Sequence, residues 1–260
     1  MFWVNFVIYA NTTAMDKLIN SIFGSLPRQG PGERNATLKA LEAIPTDLKE
    51  GTILDIGAGT GAQTMLLLEN TNANVIALDS NKEFIQTLLT KARSEGFDSR
   101  IRGIEESMHS IHLPTASIDI IWCEGAIYHI TPEQGLMKWK RLLKPQGYFA
   151  FTDLCWVRPN PPKRILNYWK SNYPKMKSFD DIEMIVDRCG YDLITSFTLS
   201  QSAWTENYYD HLEQKVKAVE EEVEGVSASE LFEAIREEMQ LFEEYREYYN
   251  YGFFVAKLRS

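Results

Sequence analysis

The chain has 260 residues, 44% of them hydrophobic and 24% charged, a balance that suits one α/β domain with some insertions. Acids outnumber bases 36 to 27 for a formal net charge of −9, which argues against nucleic acid as the main partner, because phosphate binding needs a basic face. The three cysteines, Cys123, Cys155 and Cys189, are far apart and odd in number. Neither a disulfide framework nor metal-ligand spacing is visible, so no metal is expected and a reducing cytoplasm is the natural compartment.

The first ten residues are apolar but lack a basic n-region and are far too short to span a bilayer. No membrane association is expected. Residues 1–30 read as an N-terminal extension and cofactor lid, and Met15 is a candidate start of the folded part. From residue 50 onward, short β-branched runs alternate with helical patterns, which predicts βαβ units and a parallel sheet. The strands fall at 52–56, 74–79, 100–105, 118–123 and 148–152, then at 191–199 and 251–258. Helices are predicted over 62–69, 81–95, 132–143 and 179–189. The third of these opens with Thr131 as N-cap and Pro132 at the first helical position. Lys144-Pro145-Gln146-Gly147 reads as a turn. Residues 155–178 are rich in proline and aromatics. Residues 205–249 read as two helices broken near Gly225–Ser227, with Leu231, Ile235, Met239 and Phe242 as the buried stripe. Both segments are expected to cover the substrate, and the whole chain reads as one domain.

Residues 53–61, Ile-Leu-Asp-Ile-Gly-Ala-Gly-Thr-Gly, carry most of the chemistry. A buried strand runs into Gly57, Gly59 and Gly61 at alternate positions, and a helix follows from Ala62. Glycine lets the backbone turn tightly and a ligand approach closely, and the helix N-terminus behind offers free N–H groups. Asp55 precedes the first glycine by two residues; an acid there suits a cationic ligand such as S-adenosylmethionine (AdoMet) better than a pyrophosphate. Asp79 ends the second strand and can accept both ribose hydroxyls of an adenosine. It can instead cap the following helix, unless Ser80 or Asn81 takes that role.

This nonapeptide resembles motif I of class I AdoMet-dependent methyltransferases of the small-molecule type. The resemblance covers roughly residues 25–200 and the final strand. It implies a Rossmann-like fold with a seven-stranded mixed sheet of order 3-2-1-4-5-7-6, helices on both faces and a helical lid insertion before the last strand. It implies AdoMet as cofactor, held by Asp55, Gly57, Ala58, Gly59, Gly61, Asp79 and Ser80. Ser107 stands where such enzymes carry the acid that bonds the adenine amino group, so Glu105 or Glu106 is an alternative, and Met108 is placed to pack on the adenine. The segment Ser25–Gly32, with its Gly-Pro-Gly, is similar to an N-terminal segment in bacterial and archaeal members. There Arg28 would pair with the cofactor carboxylate and Gln29 close over the sulfonium. A turn before a helix at Thr37 is the alternative.

Methyl transfer is an in-line displacement in which proximity does most of the work; a base is needed only for a protonated nucleophile. Candidates sit at the carboxyl ends of the fourth and fifth strands. His129 is the first. Its segment, Ala126-Ile-Tyr-His129, looks like the equivalent part of phosphoethanolamine methyltransferases, where a histidine takes part in proton transfer; the preceding Arg-Asp of that family is Glu124-Gly125 here. Packing is the alternative role for His129 and for Tyr128. Glu124 can bind an amine or the cofactor, or cap its loop, and Asp153 is similarly placed. The expected reaction is methyl transfer to N, O or C of a small molecule. The rivals are an NAD(P)-dependent oxidoreductase on the same sheet, and a non-catalytic AdoMet-binding protein. Monomer and homo-oligomer both stay open.

Overall fold

The structure, a computed structural model, describes residues 13–222 and 226–259. The stretch 1–12, the first part of the expected extension, lies outside the described residues, as does part of the expected break near Gly225. Five parallel strands form the centre: β1 (Thr52–Ile56), β2 (Asn74–Asp79), β3 (Ile101–Glu105), β4 (Ile118–Cys123) and β5 (Leu143–Trp156). The last strand, β8 (Tyr249–Leu258), runs antiparallel between β5 and β7 (Tyr191–Thr198). The order is β3-β2-β1-β4-β5-β8-β7. This is the expected topology with one correction. A two-residue strand, β6 (Lys177–Ser178), pairs with the end of β5, so the sheet has eight strands rather than seven.

Strand β4 is buried at every position, as a central parallel strand must be. Alternate side chains feed two cores. Ile53, Ile120 and Trp122 pack on one face, and Leu54, Ile56, Ile121 and Cys123 on the other. Strand β5 is longer than its sequence pattern suggests at both ends. The expected turn at 144–147 is absorbed into it as an irregularity, with Gln146 at φ +64° and a register shift opposite Ile118–Ile120. At the far end, pairing with β8 continues to Trp156↔Tyr249. Residues 155 and 156, expected to open an insertion, are therefore strand.

The helices that frame the sheet are α1 (Thr13–Phe23), α2 (Arg34–Glu42), α3 (Ala62–Asn70), α4 (Lys82–Ser94) and α5 (Pro132–Trp139). Helix α5 ends four residues before its expected limit. The chain tightens into a 3₁₀ turn at Lys140–Leu142 so that Leu143 can pair with Ile118. Asn81 caps α4 by accepting from the Glu83 and Phe84 N–H groups at 3.0 and 3.3 Å. Next come α6 (Lys163–Asn172) and α7 (Phe179–Arg188), the latter opened by a capping box of Ser178 and Asp181. Residues 205–249 hold a π-helical turn (Thr205–Tyr209), α8 (Asp210–Glu220) and α9 (Val226–Tyr245). These pack with α1 and α6 into the core on one face of the sheet. Among the described residues, no helix is long and apolar enough to cross a membrane.

The β1–α3 turn sets where the site can be. Gly57, Gly59 and Gly61 all have positive φ, yet they serve different neighbours. A Cβ on Gly61 would lie 2.1 Å from Leu88 Cδ1 of α4, so this glycine permits helix packing. Gly61→Ala is expected to destabilise the fold by about 2–4 kcal/mol, from left-handed strain plus overpacking. Chemical denaturation of both proteins measures it; equal midpoints would show that α3 and α4 separate at little cost.

Candidate active site

The carboxyl ends of β1, β2 and β4 open on a cavity of about 640 Å³, a size that suits a nucleoside cofactor with room beside it. Its floor is the backbone of Gly57, Ala58 and Gly59. Gly57 N and Ala58 N donate to Leu78 O at 2.8 and 3.1 Å, which ties the turn to β2. Asp79 completes the tie. One carboxylate oxygen accepts from Gly59 N at 2.9 Å and the other from Asn81 N at 2.8 Å. Burial pushes its pKa up, against these backbone donors. Asp79 thus lines the cavity and locks the glycine turn at once, while Asn81 does the helix capping.

The opposite wall comes from the segment after α1. Gln29 Oε1 accepts from Thr60 N at 3.0 Å and its Nε2 donates to Phe23 O at 3.0 Å. A Cβ on Gly59 would sit 2.4 Å from that same Oε1, so the cradle here accepts only glycine. Arg28 Nη2 lies 3.3 Å from Glu124 Oε2. The other Glu124 oxygen accepts from Trp122 Nε1 and Thr37 Oγ1, both at 2.8 Å. Helix α1 supplies Ile19 and Asn20 to the rim, and Asn20 Nδ2 bonds Glu83 at 2.9 Å.

The remaining wall holds Glu105, Glu106, Ser107 and Met108. Trp139 Nε1 donates to Met108 O at 3.0 Å and fixes that loop. His129 and Tyr128 stand side by side on the cavity edge, ring centroids 4.1 Å apart. Tyr128 is buried and His129 keeps an exposed edge. Desolvation by its neighbours lowers the imidazole pKa to about 4.

Of the residues singled out in the sequence, Arg28, Gln29, Gly57, Ala58, Gly59, Asp79, Ser80, Ser107, Met108, Glu124, Tyr128 and His129 converge on this one cavity. Three do not line it. Gly61 faces Leu88. Asp55 is fully buried one layer behind, accepting from Thr64 Oγ1 at 2.5 Å and Gln63 Nε2 at 3.2 Å. It reaches the cavity only through Gln63, which does line it. Asp153 is also fully buried and accepts from the Tyr173 hydroxyl at 3.0 and 3.2 Å. Thr37 and Gln63 are site residues that motif spacing does not single out, and Thr60 sits unremarked inside the glycine turn. Polar residues at buried positions of α2 and α3 were the only trace of Thr37 and Gln63. No group of three or more His, Cys, Asp or Glu that could hold a metal is found among the described residues.

Residues 54–151 match a family described as a methyltransferase domain. The sterol 24-C-methyltransferase of Pneumocystis carinii is 25% identical over 188 residues, covering 68% of this chain and 49% of that protein. The chain thus spans about half the length of this curated relative. A SAM-dependent methyltransferase from Geobacter sulfurreducens, solved with S-adenosyl-L-homocysteine, superposes with a TM-score of 0.78 at 18% identity, covering 93% of this chain and 98% of that one. A phosphoethanolamine N-methyltransferase from Haemonchus contortus gives 0.68 at 18% identity, covering all of this chain and 60% of that one. Residues 54–151 are a methyltransferase domain, and the chain has the class I AdoMet-dependent methyltransferase fold.

Burial makes the site's support pH-sensitive. The Asp55 pKa is pushed up from 3.8 to about 7 by desolvation, against the Thr64 and Gln63 hydrogen bonds. The folded state therefore holds a proton that the unfolded state releases between those values. Its stabilising effect is complete below pH 3.8 and is lost as pH rises through about 7. Asp153, raised to about 8, acts in the same direction. The melting temperature of the wild type should fall from pH 5 to pH 8, and Asp55→Asn should flatten that fall by roughly 5 °C. Identical slopes in the two proteins would show that Asp55 is not neutral in the fold.

Proposed function

We propose that this chain, a class I methyltransferase by fold, binds AdoMet in the cavity and transfers its methyl group to a small-molecule acceptor. The observation that carries this reading is the cavity's charge. Its lining includes the acids Asp79, Glu83, Glu105, Glu106 and Glu124 against the bases Arg28 and Lys82. An acid-rich wall favours a cationic ligand and disfavours the pyrophosphate of NAD(P). The residues fit the cofactor on steric grounds as well, since the Gly57–Gly59 floor has positive φ and no room for a side chain at Gly59.

Asp79 would hold the ribose hydroxyls, and Met108 and Ser107 would meet the adenine. Arg28 would meet the cofactor carboxylate, with Gln29 and the segment 26–32 closing over it. The bound cofactor supplies a methyl carbon already activated by its sulfonium, so the protein's task is alignment and exclusion of water. Tyr128 and His129 border the space left for the acceptor. His129, with one edge open to solvent, can take a proton from a protonated nucleophile and pass it outward. Residues 155–178 and 205–249 pack at the carboxyl end of β5 and are proposed as the acceptor-covering lid. The acidic chain and its buried free cysteines fit a cytoplasmic protein without nucleic-acid or membrane partners.

Calorimetric titration with AdoMet and with NADH separates the leading reading from the oxidoreductase. Gly59→Arg should abolish AdoMet binding, and Asp79→Ala should weaken it by roughly 1–3 kcal/mol. Unchanged affinity in both variants would sink the assignment. Transfer of labelled methyl to a metabolite panel then separates an enzyme from a binding protein. His129→Ala should lower single-turnover rate by about 10²–10⁴-fold with AdoMet affinity and melting temperature nearly intact. Near-normal turnover in a folded His129→Ala protein would mean that positioning alone suffices.

A further inference from the structure

Behind Tyr128 lies a second cluster that the cofactor does not use. Two buried carboxylates bracket it: Asp153 from β5, 0% exposed, and Glu238 from α9, 5% exposed. Asp153 accepts from the Tyr173 hydroxyl and from the Leu154 N–H, and Glu238 accepts from the Tyr209 hydroxyl at 3.0 Å. Neither forms an ion pair with any described residue, although an uncompensated buried charge is costly. Tyrosines link them to the cavity. The Tyr128 ring, on the cavity wall, meets Tyr173 edge-on at 6.3 Å, and Tyr208 lies 5.4 Å from Tyr209.

Three of these rings carry hydroxyls with nothing to bond. Tyr128, Tyr208 and Tyr251 are 9, 3 and 2% exposed, and among the described residues their hydroxyls have no protein partner. The fully enclosed side-chain atoms without a partner are instead Trp169 Nε1 and Tyr249 OH. The hydroxyls of Tyr128, Tyr208 and Tyr251 are not among those enclosed atoms, and Tyr128 lines the cavity itself. Tyr128 and Tyr251 lie within electrostatic reach of both carboxyl groups, and Tyr208 within reach of Glu238 and Tyr128. Electron-rich ring faces, acceptor oxygens and two carboxyl groups without a cationic partner are complementary to one kind of ligand.

Resting on the methyl-transfer reading, we infer that this cluster is the acceptor subsite and that it recognises an organic ammonium group, so that the acceptor is an amine. Tyr128 places that subsite against the cofactor cavity. The rings supply cation–π attraction, which is stronger for a desolvated cation. Asp153 and Glu238 supply the countercharge. In the empty protein burial raises the Asp153 pKa to about 8, and a bound cation is what restores its ionised form.

The test titrates choline, and its neutral isostere 3,3-dimethylbutan-1-ol, into protein saturated with S-adenosylhomocysteine. Choline should bind about tenfold tighter than the isostere. Asp153→Asn and Glu238→Gln should each remove most of that preference while leaving S-adenosylhomocysteine affinity unchanged. Should either carboxylate variant fail to fold, Tyr208→Phe and Tyr251→Phe lose only a hydroxyl and should weaken choline binding severalfold. Equal affinity for choline and isostere, or a preference that survives every variant, overturns the proposal. If S-adenosylhomocysteine itself does not bind, the methyl-transfer reading falls. The same choline and isostere titrations on the unloaded protein then decide the subsite independently.

Discussion

One buried carboxylate joins the parts of this site. Glu124 stands just past the end of β4, where it takes Trp122 from its own strand, Thr37 from α2 and Arg28 from the segment after α1. Three elements distant in sequence meet on its two oxygens. A carboxylate at this depth is tolerable only because each oxygen is satisfied by a close donor. The arrangement has a built-in asymmetry. The Trp122 and Thr37 bonds are short and enclosed, whereas Arg28 is held at 3.3 Å on the cavity wall. Arg28 is thus the partner that a ligand carboxylate can share, and the N-terminal segment stays anchored through Gln29 while it does so.

The segment is held from outside too. Gly32 N donates to Ala203 O at 3.1 Å, and Glu33 takes the Ser200 N–H at 3.0 Å and its hydroxyl at 2.7 Å. Residues 26–33 therefore bridge the glycine turn on one side and the entry to the residue 205–249 insertion on the other. Any movement that opens the cofactor cavity must also work against the connection to α8 and α9. The cavity and the 205–249 insertion share this strap, so movement at one is felt at the other.

The sheet was legible because its signals are local. Short β-branched runs, a glycine turn and the Thr131-Pro132 start each act within a few residues. The errors fall where a distant partner decides. Strand β5 extends to Trp156 because β8, nearly a hundred residues later, continues to pair with it. The Lys144–Gly147 turn was read correctly in its chemistry, since Gln146 takes a positive φ. It failed as a boundary because the neighbouring strand continues past the irregularity. Helix α5 is cut short for the same reason. The cavity wall was legible because glycine and acid positions in a βαβ unit have fixed meanings. Thr37, Thr60 and Tyr173 were not, because each acts through one partner far along the chain.

Asp55 and Asp153 show what sequence position cannot resolve. Both end or nearly end a central strand, both are acids beside a ligand cleft, and both are fully buried. Their surroundings separate them. Asp55 has two donors from the helix that follows its own turn, so its oxygens are occupied in holding α3 against β1. Asp153 accepts from one hydroxyl, of a residue in the aromatic segment, and from the Leu154 N–H, and Tyr128 and Tyr251, whose hydroxyls have no protein partner among the described residues, lie within reach of it. A carboxylate surrounded by donors from its own fold is structural, because nothing more can be offered to it. A carboxylate left short of donors, in space that tyrosine hydroxyls also face, retains capacity for a ligand. That difference in hydrogen-bond satisfaction, rather than burial or distance from motif I, divides the acids that build this site from the acids able to select what enters it.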